Sequence, residues 1–167
     1  MTSSAHQAPA FDTRTFRNAL GGFATGVTVV TAIAPDGTPL GLTVSSFNSV
    51  SLEPPLVLWS LDANSQCLQA FERASHFAVN VLAADQEEVS NRFASRGDDK
   101  FAGQVWSAGL GGAPLLPGTC ASFECINAAR HPGGDHLIFI GQVERFSHDP
   151  AREPLIFQGG RYRRLAG

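Results

Sequence analysis

The stretch GLTVSSFNSVSLEPPLVLWSL, residues 41–61, changes character halfway along its length. Its first half contains four serines, one threonine and one asparagine, whereas its second half is an apolar run that follows two prolines. A buried hydroxyl group without a hydrogen-bond partner costs on the order of 1–3 kcal/mol, so ordinary buried strands contain few of them. The hydroxyl-rich half therefore predicts one of two features. It is either a polar edge whose serines cap their own backbone, or a lining that binds a planar, phosphorylated molecule.

Strand signals surround this stretch and predict a mainly β domain. The segment GVTVVTAIA at 26–34 is rich in β-branched residues, and the turn PDG at 35–37 folds it into a hairpin with the opening stretch. PPLVLWSL at 54–61 predicts a further strand, with both prolines at its entrance, where missing N–H donors do least harm. Other strands are predicted at 76–83, 121–129 and 136–146, with a final hairpin at 154–165 that closes the sheet.

Six or seven short strands with brief helices between them predict a closed antiparallel β-barrel, because such a sheet in a small domain must hide its edges. The alternative, a doubly wound parallel sheet, requires longer helices and longer crossovers than these connections provide. Three helices are predicted from their capping residues. These are Asp12 or Thr13 for the first, Asn64 or Ser65 for the second, and a capping box of Asp85 and Glu88 for the third.

Length and charge restrict the classes of function. The chain has 167 residues, enough for one domain, which we expect to span residues 11–167 after a disordered tail at 1–10. A net charge of -3 offers no basic face to nucleic acid or to an anionic membrane. The three cysteines form no CxxC pair, and the first ten residues lack the apolar core of a signal peptide. We therefore expect a cytoplasmic protein without disulfide bonds or a metal site.

Taken one at a time, the motifs carry little chemistry. The sequence has no GxGxxG after a strand, no GxxxxGKS/T, no GxSxG and no HExxH. His136 follows the glycine turn RHPGGD and begins an apolar strand, a position from which a side chain can project over a barrel mouth. Lys100 in GDDKF is placed to meet a phosphate, although a solvated loop lysine is the more common case.

Six segments taken together are far more specific than any one of them. They are FRNALGGFATGVTVVTA, DGTPLGLTVSSFNSVSLEPPLVLWSL, HFAVNVLAADQEEVSNRFA, DDKF, FECINAARHPGGDHLIFIGQV and PLIFQGGRYRRL. In this order they resemble the flavin reductase-like family, the short-chain NAD(P)H:flavin oxidoreductases that serve two-component flavin monooxygenases. The resemblance extends over residues 11–165. It implies an FMN-binding split β-barrel, usually a homodimer with a flavin at each subunit interface.

The resemblance also implies a flavin site built on the opening stretch. The segment LTVSSFNSVSL would wrap the isoalloxazine ring and the ribityl chain, and His136 would face the reacting edge, with Tyr162 nearby. Cys67 stands where the family commonly has threonine in an S-x-T pattern, which weakens one expected hydrogen bond near the phosphate. The implied catalytic residue is His136, and the implied flavin-binding residues are Thr43, Val44, Ser45, Ser46, Phe47, Asn48, Ser49, Ser51, Ser65, Lys100, Phe101 and Tyr162.

The implied reaction is hydride transfer from NADH or NADPH to FMN or FAD, with reduced flavin passed to a partner monooxygenase. Because no Rossmann unit is visible, the nicotinamide would dock over the flavin itself. Two alternatives stay open: a barrel that binds flavin without reducing it, and a hydrolase that uses a serine of 41–51 with Asp135 and His136. Adjacent residues on one strand point in opposite directions, which places this Asp–His pair poorly for hydrolysis.

Overall fold

The computed structural model describes residues 11–97 and 99–165, so the tail predicted at 1–10 lies outside the described residues. The described part is mainly β, with three short α-helices. In chain order the elements are α1 (Thr13–Leu20), β1 (Thr25–Gly26), β2 (Thr28–Ile33), β3 (Pro39–Val44), β4 (Asn48–Leu52), β5 (Pro55–Asp62), α2 (Leu68–Arg73), β6 (His76–Val81), α3 (Glu87–Ala94), β7 (Ser107–Ala108), a 3-10 turn (Leu110–Gly112), β8 (Pro114–Leu115), β9 (Ala121–Gly133), β10 (His136–His148), β11 (Ile156–Gln158) and β12 (Arg161–Arg163).

Seven strands form one antiparallel sheet in the order β3-β2-β6-β9-β10-β5-β4. This topology confirms the predicted antiparallel domain and excludes the doubly wound alternative for the described residues. The hairpin predicted at 154–165 forms, but it does not join the main sheet. Instead β11 pairs with β1 in a separate three-stranded sheet, because Thr25 and Gly26 occupy the free edge of β11.

The predicted closure of the barrel is not confirmed. The end strands β3 and β4 follow each other in the chain, yet no strand pairing joins them within the described residues. The connection uses a side chain instead: Ser46 Oγ accepts from the Ser60 N–H at 3.0 Å and donates to the Ser60 carbonyl at 3.2 Å. The end of β3 is thus tied to β5 by one hydroxyl, and backbone pairing does not complete the ring.

The core lies against the strand that ends the opening stretch. Alternate residues of β5 point inward, and Trp59 stacks on Phe139 of β10 with ring centres 4.5 Å apart. Phe71 of α2 and Phe77 of β6 meet the same indole edge-on, at 5.1 and 5.8 Å. This buried aromatic cluster fixes β5 and β10 against each other, so that the end of β5 and the start of β10 lie side by side.

Local signals located the first helix and the first hairpin correctly. Asp12 caps α1, because its carboxylate accepts from the Thr15 N–H at 2.8 Å. The turn after β2 closes with the Ala34 N–H donating to the Thr38 carbonyl, and Gly37 takes a φ of 87°, which only glycine adopts freely.

The predicted caps of the other two helices are wrong. Helix α2 begins only at Leu68, because Ser65 hydrogen-bonds Cys67 instead and forms a turn ahead of the helix. Helix α3 follows Gln86 without a capping side chain, and Asp85 lies 3.7 Å from Arg152 in an ion pair. In both cases a tertiary or local partner takes up the side chain that the sequence pattern assigns to the cap.

The three cysteine side chains are free thiols. Burial raises the pKa of the Cys125 thiol to about 12, so this group is inert as a nucleophile near neutral pH. No cluster of three potential metal ligands occurs in the part of the chain that the structure describes. Among residues 11–97 and 99–165, no helix combines the length and the apolar character that crossing a membrane requires.

Candidate functional site

An open pocket of about 290 Å³ lies where three strands end side by side. Its walls come from the end of β3 with the following turn, from the end of β5, and from the first residue of β10. The antiparallel register brings these segments together, since His136 is paired with Asp62. The lining residues are Leu42, Thr43, Val44, Ser45, Ser46, Ser60, Leu61, Asp62 and His136.

The turn at residues 45–47 has backbone donors without partners in the described part of the protein, and two of its residues, Ser45 and Ser46, line the pocket. Within the described residues, the N–H groups of Ser45, Ser46 and Phe47 donate to no protein acceptor. The hydroxyl of Ser46 is already engaged with Ser60. The turn therefore offers amide N–H groups rather than the Ser46 hydroxyl to a bound molecule, an arrangement that suits a polar or anionic ring edge.

His136 reaches the pocket with one ring nitrogen already held. Its Nδ1 lies 2.7 Å from Asp135 Oδ1, and the Asp135 carbonyl accepts from the Ala63 N–H at 2.9 Å, which anchors the turn to the end of β5. The hydrogen bond from His136 keeps the pKa of the Asp135 carboxyl below its ordinary value. The carboxylate thereby orients the imidazole, and Nε2 is left to act toward the pocket.

This contact corrects the expectation that Asp135 and His136 point apart. Strand alternation does not apply to the pair, because β10 begins at His136 and Asp135 belongs to the turn before it. The contact still does not favour a hydrolase. No hydrogen bond joins His136 to a serine in the part of the chain described, and the Ser46 hydroxyl is held by the backbone of β5.

Five of the residues implied by the resemblance meet in the pocket: Thr43, Val44, Ser45, Ser46 and His136. The next four lie on the turn and on β4 and are not part of the pocket lining, and β4 leads away from the pocket, since Ser51 pairs with Leu56 near the start of β5. Phe47 stacks on Phe123 at 5.6 Å, and the Asn48 side chain accepts from the Ser49 N–H at 2.9 Å. Ser51 accepts from the Glu53 N–H at 3.2 Å. The asparagine and Ser51 thus cap their own backbone, as the alternative interpretation of this stretch predicts for such residues.

The remaining four lie outside the pocket lining. Ser65 Oγ is 3.1 Å from Cys67 Sγ, and Phe101 packs against the ring of Phe93 at 5.0 Å. Lys100 donates to the carbonyls of Phe93 and Gly41, at 2.9 and 3.3 Å, and burial lowers the pKa of its ammonium group.

Tyr162 is the last of these four. Its hydroxyl lies 2.8 Å from Ser90 Oγ and donates to Asn91 Oδ1 at 2.8 Å, so helix α3 takes up this polar group. Thr43, although it borders the pocket, also turns its hydroxyl to α3 and donates to the Ser90 carbonyl at 2.7 Å. The hydroxyls of Tyr162 and Thr43 thus connect β12 and β3 to helix α3.

Sequence reasoning missed the contribution of β5. Ser60, Leu61 and Asp62 line the pocket because the register sets them beside the start of β10. One sequence signal marks these residues: the apolar run ends in SLD just before a predicted helix, so the strand is expected to end there. That signal does not identify pocket residues, because it does not show which strand pairs with β5.

Comparison with known proteins identifies the family. A family model described as the flavin reductase like domain matches residues 20–166. The FMN reductase (NADH) SmoA of Agrobacterium fabrum is 51% identical over 155 residues, which cover 93% of this chain and 87% of that protein. The chain belongs to the flavin reductase-like family. The resemblance stated from the sequence segments is thus confirmed.

Two further relatives extend this result. The reductase subunit HsaB of a flavin-dependent monooxygenase from Rhodococcus jostii is 44% identical over 155 residues, covering 93% of this chain and 79% of that one. The Streptomyces globisporus NADH:FAD oxidoreductase SgcE6, solved in complex with NAD and FAD fragments, is 42% identical with a TM-score of 0.89. The match covers 97% of this chain and 98% of that structure.

The pocket of this family member fits one edge of a flavin. An isoalloxazine ring is planar and has carbonyl oxygens and ring nitrogens at its rim. The amide N–H groups at 45–47 lack acceptors among the described residues and are donors of the kind that such a rim requires, and Leu42 adds an apolar residue to the lining. The pocket is open to solvent on one side.

Proposed function

We propose that this protein is an NAD(P)H-dependent flavin reductase, which transfers a hydride from the nicotinamide to FMN or FAD. The observation that carries the proposal is the pocket itself, which is lined by His136 together with Ser45 and Ser46, whose N–H groups have no acceptor in the described part of the chain, in a member of the flavin reductase-like family. The names of its relatives, an NADH-dependent FMN reductase and an NADH:FAD oxidoreductase, support it.

Bound flavin supplies the redox chemistry, so the chain itself needs few reactive groups. Val44 and the turn at 45–47 bind the ring edge through backbone donors, while the walls of β3 and β5 fix its plane. Holding two rings at contact distance replaces a bimolecular encounter with an oriented one, which is the main catalytic contribution expected from such a site.

His136 is the proposed catalytic residue. With Nδ1 held by Asp135, its other nitrogen can donate to the rim of the flavin or orient the nicotinamide amide. Phe47, Asn48, Ser49 and Ser51 lie outside the pocket lining and remain proposed flavin neighbours. Ser65 and Phe101 remain proposed neighbours of the ribityl and phosphate end.

One steady-state matrix tests the function: NADH and NADPH, each against riboflavin, FMN and FAD, with protein-free mixtures as the baseline. We expect oxidation of at least one nicotinamide well above that baseline. Flavin that binds with a changed absorption spectrum but is not bleached by either nicotinamide would instead favour the binding-only alternative. Absence of both binding and turnover would reject the proposal altogether.

We also propose that reduced flavin leaves for a partner monooxygenase, as the name of the HsaB relative indicates for that protein. The expected sign is hydroxylation of the partner's substrate when the two proteins are mixed with nicotinamide and flavin. A catalase control removes hydrogen peroxide formed by free reduced flavin. Hydroxylation that is no faster with this protein than with NADH alone would contradict the role.

A homodimer is proposed as the working unit, with residues 11–167 as one flavin reductase-like domain per subunit. Large apolar side chains are exposed in the single chain, among them Leu52 at 94%, Phe23 at 78% and Phe146 at 72%. A second subunit is a natural cover for such residues. Light scattering at micromolar concentration should give twice the mass of one chain, and a monomer there would contradict this proposal.

We further propose that the sheet acts as a closed split barrel, with the Ser46 hydroxyl bridging β3 to β5 where strand pairing stops. The free thiols support a cytoplasmic location, because reducing conditions keep cysteines in this form. Fractionation of the native host, with the protein detected by antibody, tests the location.

A further inference from the structure

Helix α3 packs against β3 at unusually short range. A Cβ atom on Gly41 would lie 2.6 Å from the ring of Phe93, so only glycine permits this approach. Strand β3 is an end strand and pairs only with β2 among the described residues. Its outer side is therefore held by the helix, and the position of the helix determines where β3 delivers the turn at 45–47.

Lys100 forms the first polar link across this contact. Its Nζ donates to the Phe93 carbonyl in the last turn of α3 and to the Gly41 carbonyl in the middle of β3. A cation at this place satisfies a carbonyl at the C-terminal end of a helix, where positive charge is favourable. One ammonium group thus connects the helix to the strand.

Tyr162 forms the second link, one turn earlier in α3. Its hydroxyl contacts the side chains of Ser90 and Asn91, and the carbonyl of the same Ser90 accepts the Thr43 hydroxyl. Thr43 stands immediately before Val44 and the free amides of the turn. The strand β12 that carries Tyr162 is thereby coupled through α3 to the pocket.

We propose that Lys100 and Tyr162 are positioning residues, which hold α3 on β3 and so set the place of the flavin-binding turn without touching the flavin phosphate. This inference rests on the proposed function. The competing assignment is the one implied by the resemblance, in which Lys100 meets the phosphate directly. The two assignments predict different affinities. A direct contact between Lys100 and the phosphate affects only flavins that have a phosphate, whereas a positioning role affects all flavins.

Riboflavin lacks the phosphate of FMN, so a comparison of the two binding affinities distinguishes the two assignments of Lys100. Dissociation constants for both are measured by fluorescence titration of Lys100→Met, well below its unfolding midpoint. We expect the affinity to fall by about tenfold for both ligands, because a displaced turn weakens its contacts with either flavin. The ratio of the two constants should equal that of the wild type. A loss confined to FMN, or no loss at all, would overturn the inference.

Arg92→Met is the matched control. Arg92 also lies on α3 and donates to a backbone carbonyl, that of Ala102, but it does not reach β3. Its removal should leave both flavin affinities within about twofold of the wild type. An equal loss in this variant would show a general weakening of the helix and would also overturn the proposal.

Tyr162→Phe provides the second, milder test if Lys100→Met does not fold. It removes only a hydroxyl group, and we expect a loss of about threefold for riboflavin and FMN alike, with an unchanged ratio. A lower unfolding midpoint with unchanged affinities would mean that Tyr162 stabilises the fold only, and would overturn its positioning role. Wild-type protein that binds neither flavin would reject the proposed function itself, whereas an FMN-selective loss rejects this inference alone.

Discussion

Two polar regions of the main sheet use their hydrogen-bonding groups in opposite ways. Around Asn80 of β6, which is fully buried, the side chain donates to the Val29 carbonyl and accepts from the Leu116 N–H, at 3.1 and 2.9 Å. Thr31 beside it donates to the Pro114 carbonyl. In the turn at 45–47, by contrast, three N–H groups find no acceptor within the described residues.

The difference separates polar groups that stabilise the fold from polar groups that we propose bind the flavin. Inside the sheet an unsatisfied group would cost on the order of 1–3 kcal/mol, so each donor near Asn80 is matched with an acceptor. At the sheet end the groups are open to water and can remain unmatched at little cost. Changes in the first region should therefore reduce stability, and changes in the second should reduce activity.

The largest effect is expected from Asn80→Ala. It leaves the Leu116 N–H without its acceptor in a buried site, and the free energy of unfolding should fall by about 3 kcal/mol. Urea denaturation measures the loss. Asn18→Ala on the exposed side of α1 is the matched control and should change stability by less than about 0.5 kcal/mol. Comparable losses in the two variants would contradict the interpretation of Asn80.

Most of the sheet could be predicted because its signals are local. The apolar run PPLVLWSL predicts the strand that forms β5, and the turn PDG with Gly37 fixes the first hairpin. The start of α3 could not be predicted, since Asp85 is drawn to Arg152, a residue distant in sequence. A capping pattern records what a side chain can do locally, but not which distant partner competes for it.

The candidate site likewise contains residues that the sequence predicts and residues that it does not. The ordered segments pointed to Ser45, Ser46 and His136, which meet in the pocket. The contribution of Asp62 depends on the register of β5 with β10, and the contacts of Tyr162 depend on the packing of β12 on α3. Register and packing join residues far apart in the chain, so one sequence without its fold does not reveal them.

The second largest effect is expected from His136→Ala, and in activity rather than stability. Loss of a well-oriented contact at the ring should slow flavin reduction roughly tenfold to a hundredfold. Flavin affinity should fall less, because the turn at 45–47 supplies most contacts. Stopped-flow reduction at saturating nicotinamide and flavin titration measure the two quantities.

The matched control for this variant is His148→Ala, at the far end of the same strand, where the side chain is exposed. It should leave both the reduction rate and the affinity unchanged. An affinity loss in His136→Ala that exceeds its rate loss would show that this histidine binds the flavin rather than assisting the transfer.

A third effect, in stability, is expected from Glu124→Gln. The carboxylate of this buried residue accepts from the Leu110 N–H at 2.7 Å and from Arg145 Nη2 at 2.6 Å. The free energy of unfolding at neutral pH should fall by about 1.5 kcal/mol, a modest value because Arg145 is half-exposed. Glu144→Gln, which removes a more exposed carboxylate on β10, should cost less than about 0.5 kcal/mol.

This third effect should also depend on pH. Burial raises the pKa of Glu124, but hydrogen bonds from Arg145 and Leu110 outweigh it and hold the pKa below its ordinary value of 4.5. A depressed pKa gives stability that is fully present above 4.5 and is lost as the pH falls through the folded value. The difference in the free energy of unfolding between wild type and Glu124→Gln should therefore become smaller in acid. A difference that does not change with pH would show that the carboxylate charge does not cause the stabilisation.

The smallest effect is expected from Asp135→Asn, and it tests how the pocket positions its histidine. The exposed carboxylate contacts His136 Nδ1 and acts on the reaction only by orienting the ring, so reduction should slow by about threefold with flavin affinity unchanged. Asp36→Asn is the matched control, because Asp36 also accepts a hydrogen bond in a turn but lies outside the pocket lining. The decisive comparison is the double variant: in a His136→Ala background, Asp135→Asn should cause no further loss, since the group through which it acts is gone. A further threefold loss there would mean that Asp135 contacts the nicotinamide or the flavin itself, and the pocket would then contain two catalytic residues where we propose one.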